Sequence, residues 1–98
     1  MRRKRVIAKL KAAEPAIRAL GASALYLYGS HARDEARPDS DVDVFIDKDP
    51  TRPFGFDAFM DIHFKLQETL GTEVGYTTRD GLVDFYRPDI EREAIRVF

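Results

Sequence analysis

Two short stretches decide the reading of this chain: Leu27-Tyr28-Gly29-Ser30-His31-Ala32-Arg33 and, after a turn-rich loop, Ser40-Asp41-Val42-Asp43. Ala24 to Tyr28 is an apolar run of strand length, and Gly29-Ser30 punctuates it. Residues 30–36 can form a helical turn, and Arg37-Pro38-Asp39-Ser40 is a loop by its turn chemistry. Asp41 to Ile46 then begins as alternating polar and apolar residues, the pattern of a half-buried strand. In that strand Asp41 and Asp43 leave the same face, while Val42 and Val44 turn to the core. Ten residues separate the Gly-Ser from the Asp-x-Asp.

That pattern has a chemical reading. Two carboxylates side by side are hard oxygen ligands, of which Mg²⁺ takes one or two while keeping water and phosphate oxygens in its other positions. A glycine after a strand lets the backbone approach a phosphate, with the following N–H groups and the Ser30 hydroxyl as donors. Arg33, one turn on, adds a charge-assisted contact. Taken singly, an Asp-x-Asp is usually a solvated strand and a Gly-Ser usually a turn. Their joint spacing within one small α/β unit is what points to a metal–nucleotide site.

Working outward, Val6, Leu10 and Ala13 share a helix face, and Pro15 starts a second short helix carrying Ile17 and Leu20 and closing at Gly21. Phe56, Phe59, Met60, His63, Phe64, Leu66 and Leu70 predict an amphipathic helix over 56–70. Phe54 and Phe56 are surplus aromatics available to a partner surface. Thr72 to Thr77 reads as a third strand. Pro88 opens a last helix, with Ile90, Ala94, Ile95 and Val97 expected to be buried at its C-terminal end. His31 is expected at the surface, and His63 as a partly buried packing residue. The expectation is one domain over residues 1–98, an α/β fold with a small mixed sheet flanked by helices.

Composition narrows the function. Sixteen Lys+Arg against 17 Asp+Glu leave a net charge of −1, so nucleic acid has no global attraction and would need a local basic patch. The charge is nevertheless uneven. Basic residues crowd the first 18 positions, whereas Asp34, Glu35, Asp39, Asp41, Asp43, Asp47 and Asp49 crowd residues 34–49, a clustering suited to a solvated loop or a bound cation. No cysteine is present, which excludes disulfides and thiolate chemistry. No apolar run reaches the ~18 residues of a membrane span, and Lys9 interrupts what would be the apolar part of a signal peptide, so a cytoplasmic protein is expected.

The two motifs, with the flanks Arg18 to Gly21 and Ile90 to Ala94, resemble the minimal nucleotidyltransferases of the DNA polymerase beta-like superfamily over nearly the whole chain. The resemblance implies a nucleotidyltransferase fold that binds ATP with Mg²⁺ and moves a nucleoside monophosphate onto an acceptor. It implies that Gly29 and Ser30 hold the triphosphate and that Asp41 and Asp43 are catalytic metal ligands; Arg33 and Ser40 are expected beside them as further nucleotide-binding residues. Members are commonly the antitoxin of a HEPN-domain toxin, some by attaching AMP to it. Transfer to a small molecule such as an aminoglycoside fits poorly, because a chain of 98 residues has little room for an acceptor domain.

Two departures from the family pattern bear on activity. Asp34 stands where glycine usually follows the arginine, adding negative charge near the phosphates. The third family carboxylate, expected directly after Val74, is replaced by Gly75. Loss of such a group costs a general base's ~10²–10⁴-fold. Glu73 lies two residues earlier on the same strand face, about 6.6–6.8 Å away along the strand, and is the candidate stand-in. Asp84, in a later loop, is a weaker one. Two functions therefore stay open: a Mg²⁺-dependent adenylyltransferase acting on a partner protein, or a catalytically degenerate module that only binds a HEPN-type partner.

Overall fold

A computed structural model describes all 98 residues. Two short helices come first, α1 (Arg3–Ala12) and α2 (Glu14–Ala19), with the break falling where Pro15 can occupy a helix's first turn. They are followed by β1 (Ala22–Tyr28), the one-turn helix α3 (Gly29–Ala32) and β2 (Val42–Lys48). Helix α4 (Phe56–Leu70) leads to β3 (Val74–Thr78), and a 3-10 turn (Arg79–Gly81) and α5 (Arg87–Glu93) precede β4 (Ile95–Arg96).

The strands form one mixed sheet in the order β3-β2-β1-β4. β1 runs antiparallel to both β2 and β4, and β2 runs parallel to β3 through the α4 crossover. This is the small mixed sheet flanked by helices expected from the sequence. Alternation in β2 sends Val42, Val44 and Ile46 into the main core, where they meet Val6, Leu10 and Ile17 of the first two helices and Ile62, Leu66 and Leu70 of α4. The opposite face carries Asp43, Phe45 and Asp47. There Phe45 stacks on Tyr26 at 4.8 Å between ring centres, and the Arg79 guanidinium lies 5.0 Å above the Phe45 ring.

Three sequence expectations are corrected. On α4 the buried stripe is Ile62, Leu66 and Leu70, while Phe56 and Phe64 are 76% and 59% exposed. The helix is apolar enough to offer more than one stripe, and packing against the sheet selected one of them. The chain after Glu93 is not helical: Ile95 and Arg96 pair with Leu27 and Tyr26, so the last residues complete the sheet edge, with Val97 and Phe98 buried. His31 is not a surface residue; it is 2% exposed. Of the surplus aromatics, Phe56 is free at the surface and Phe54 packs against the core. No helix is long and apolar enough to cross a membrane.

Candidate functional site

The site forms where three strands come level. Tyr28, the last residue of β1, pairs with Asp43 of β2, and Asp43 pairs with Gly75 of β3. Gly29 follows Tyr28 with φ 74°, a left-handed conformation that turns the chain from strand into α3. The turn also brings the backbone against Asp43. A Cβ on Gly29 would lie 2.6 Å from Asp43 Oδ2, and a Cβ on Gly75 would collide with Asp43 Oδ1. The Asp43 carboxylate thus sits in a slot with a glycine on each side.

Its electrostatics follow from that slot. Burial raises the Asp43 pKa above the usual aspartate range, the negative charge of Asp41 raises it further, and the nearby His31 and Arg33 pull it down. Tyr28 is pushed up as well, by burial and then by the Asp43 charge. Neither Asp41 nor Asp43 takes part in any of the nine ion pairs of the chain. A half-buried carboxylate beside a second one, with no cation bound to it by the protein, is a donor set that suits a divalent cation. Asp41 lies exposed just before β2, carried by the loop that Ser40 closes: the Arg37 N–H donates to Ser40 Oγ at 2.9 Å.

The donors assigned to phosphate are in place but engaged. Glu93, at the end of α5, accepts a hydrogen bond from the Gly29 N–H at 3.2 Å and from Arg33 Nη1 at 3.2 Å to each of its oxygens. Arg33 also reaches Glu35 at 3.4 Å. A carboxylate therefore rests on the donors that a phosphate would use. Sequence reasoning had placed Glu93 only among the flanks, since α5 is far from Gly29 in the chain and only the fold brings them together. Ser30 is half-buried in α3.

Glu73 does not join the pair. Its side chain is exposed ahead of β3, its carbonyl accepts from the Val42 N–H at 3.3 Å, and no group of three or more His, Asp or Glu side chains in the chain could hold a metal ion. The space that a third carboxylate at position 75 would take is filled by Asp43 itself. Asp34 adopts φ 60°, which explains physically why glycine suits this position.

The family of nucleotidyltransferase domains matches residues 7–97. A solved protein assigned to the minimal nucleotidyltransferases is 29% identical, with a TM-score of 0.81 over 97% of this chain and 95% of its own. A toxin–antitoxin structure with AMP-PNP is 15% identical, with a TM-score of 0.71 over 92% of this chain and 72% of that one. The Shewanella oneidensis complex of a tri-AMPylated HEPN toxin with an MNT antitoxin is 13% identical, with a TM-score of 0.62 over 90% of this chain and 68% of that one. The last two likenesses concern the fold alone. No curated protein matches the sequence.

Proposed function

This chain belongs to the nucleotidyltransferase domain family, and on that premise we propose that it binds ATP with Mg²⁺ and transfers AMP to a partner protein, a HEPN-type toxin for which it serves as cytoplasmic antitoxin. The observation that carries the proposal is the Asp43 carboxylate, held half-buried between Gly29 and Gly75, beside Asp41 and outside every ion pair. An AMPylated HEPN toxin and an AMP-PNP complex among its structural neighbours support this choice of acceptor and nucleotide.

In this reading Asp41 and Asp43 hold the metal, which when bound offsets the charge of the triphosphate and of the leaving pyrophosphate. Gly29 and Ser30 present N–H and hydroxyl donors to the phosphates, and Arg33 adds its guanidinium once Glu93 lets go. Ser40 acts indirectly, by closing the loop that delivers Asp41. An acceptor hydroxyl attacks the α-phosphorus, the bond to the β-phosphate oxygen breaks, and pyrophosphate leaves. The weak point is the acceptor's proton. With Glu73 exposed ahead of β3, the proton passes to solvent water, which costs the step its general base.

That weakness favours a second reading, in which the protein binds the toxin and catalyses nothing. Its supporting observation is Gly75, whose missing side chain leaves Asp43 the only acid reaching that point of the slot. Labelled ATP, Mg²⁺ and the co-expressed partner decide between the two. Label moved by the wild type and lost with Asp41→Asn is the expected result. Label moved only by Gly75→Asp, or by neither, overturns catalysis and leaves the binding module.

A further inference from the structure

A cavity of about 410 Å³ opens beside α3, lined by Arg2, Arg3, His31, Asp34, Arg37 and Pro38 among others. An adjoining recess adds Lys4. Arg2, Arg3, Lys4 and Arg37 enter no ion pair, whereas Arg18, Arg33, Lys48, Lys65, Arg79, Arg87 and Arg92 all do. Four of the nine cations without an ion pair thus lie together here, three from the start of α1 and Arg37 brought to them by the fold. Arg3 Nη1 donates to the Ala32 carbonyl at 3.2 Å, tying the start of α1 to the end of α3, and Arg37 arrives on the loop that follows.

Two features of this gathering are unfavourable as they stand. α1 begins with Arg3, Lys4 and Arg5 and has no acid in its first turn, so cations crowd the positive end of a ten-residue helix. His31, lining the same cavity, is 2% exposed, and its Nδ1 is enclosed without a hydrogen-bond partner. Enclosed polar atoms nearly always have partners, and this one belongs to a residue that backs the cavity. An anion would answer the crowding of cations at the helix end. Guanidinium forks lining one cavity match the several acceptor oxygens of a phosphate.

We infer that this cavity is a second anion site, distinct from the Asp41–Asp43 pair, and that it takes a phosphate group. It supplies the local basic patch that the near-neutral composition lacks as a whole, so the phosphate can belong to a small phosphorylated molecule or to a nucleic-acid strand. Asp34 is the one acid on its wall and works against binding.

The test is a nuclear magnetic resonance titration of the intact chain with inorganic phosphate at neutral pH and constant ionic strength, following the His31 imidazole and the amides of Asp34 to Arg37. The expected result is a saturable shift, weakened about tenfold or more by Arg2→Ala/Arg37→Ala, since each lost charged hydrogen bond is worth roughly that factor. The shift strengthens a few-fold with Asp34→Gly and survives Asp41→Asn/Asp43→Asn. Shifts that never saturate, that chloride reproduces, or that the double arginine variant leaves unchanged overturn the site. So does loss of binding in the Asp41→Asn/Asp43→Asn protein, which would merge it with the carboxylate pair. A 5′-phosphorylated tetranucleotide binding at least tenfold tighter than phosphate assigns the ligand to a strand, and equal affinity assigns it to a small molecule; both support the site.

Discussion

Asp43 and Gly75 are register partners across the parallel β2–β3 pair, and the Asp43 carboxylate leans into the space that any side chain at position 75 would need. The bare glycine at position 75 and the orientation of the Asp43 carboxylate are thus a single feature. Gly75→Asp cannot simply add an acid; it must push Asp43 aside and set two carboxylates together. Without metal we expect a loss of up to about 1 kcal/mol from like charges on neighbouring strands. With millimolar Mg²⁺ the loss should be recovered. Thermal unfolding with and without Mg²⁺ measures both, and a variant equally unstable in either condition would show that the acids do not share a cation.

Asp43→Asn tests the electrostatics of the slot. The Asp43 pKa is raised in the folded protein above its ordinary 3.8, by burial first and Asp41 second, so the native state binds the extra proton between those values. Stability from this group is therefore intact below 3.8 and is lost as pH rises through the folded value. The asparagine variant should unfold at a higher temperature than wild type at neutral pH, and the difference should vanish in acid. It should also lose any stabilisation by Mg²⁺. A variant less stable at neutral pH contradicts the account.

Glu93→Gln removes the charge that occupies the Gly29 N–H and Arg33. A non-hydrolysable ATP analogue with Mg²⁺ should bind about tenfold tighter, because a competing charge-assisted contact is gone. Calorimetry reads this directly. Unchanged or weaker affinity would mean that Glu93 instead holds α3 in its binding shape.

Asp34→Gly addresses backbone strain. Asp34 sits at φ 60°, where an aspartate pays less than the ~1–2 kcal/mol of most residues, and glycine pays nothing but loses more freedom on folding. The net expectation is a gain of about 0.5 kcal/mol in chemical denaturation. A loss would indicate that the Asp34 side chain supports the loop.

Glu73→Gln asks whether the proposed transfer uses that acid. Because Glu73 is exposed ahead of β3 and joins no carboxylate cluster, label transfer should fall less than about threefold, far short of the ~10²–10⁴-fold expected for a general base. A drop into that range would mean that substrate binding draws Glu73 inward.

Much of this is legible in the sequence. The helix over 56–70, the break before Pro15 and the two strands around Gly29-Ser30 and Asp41-Val42-Asp43 follow from local chemistry: proline and glycine punctuate, and alternation or helical spacing reports which side is wet. Local rules also placed Val42 and Val44 inward and Asp43 outward. They failed where a distant segment decides. The stripe that α4 buries depends on the sheet beneath it, and Ile95 is a strand residue only because the β1 edge offers Leu27 as its partner.

The sequence by itself determined the family, the strand that carries Asp43 with Asp41 just ahead of it, and the glycine at position 75, since residue identity and spacing along one stretch of chain contain all of that. Only the tertiary structure decided that Asp43 occupies the space left at Gly75, that Glu93 rests on the Gly29 and Arg33 donors, and that His31 is enclosed beside Arg2, Arg3 and Arg37. Those relationships join residues far apart in the chain, and they arise because burying one common core sets where every unburied side chain must emerge.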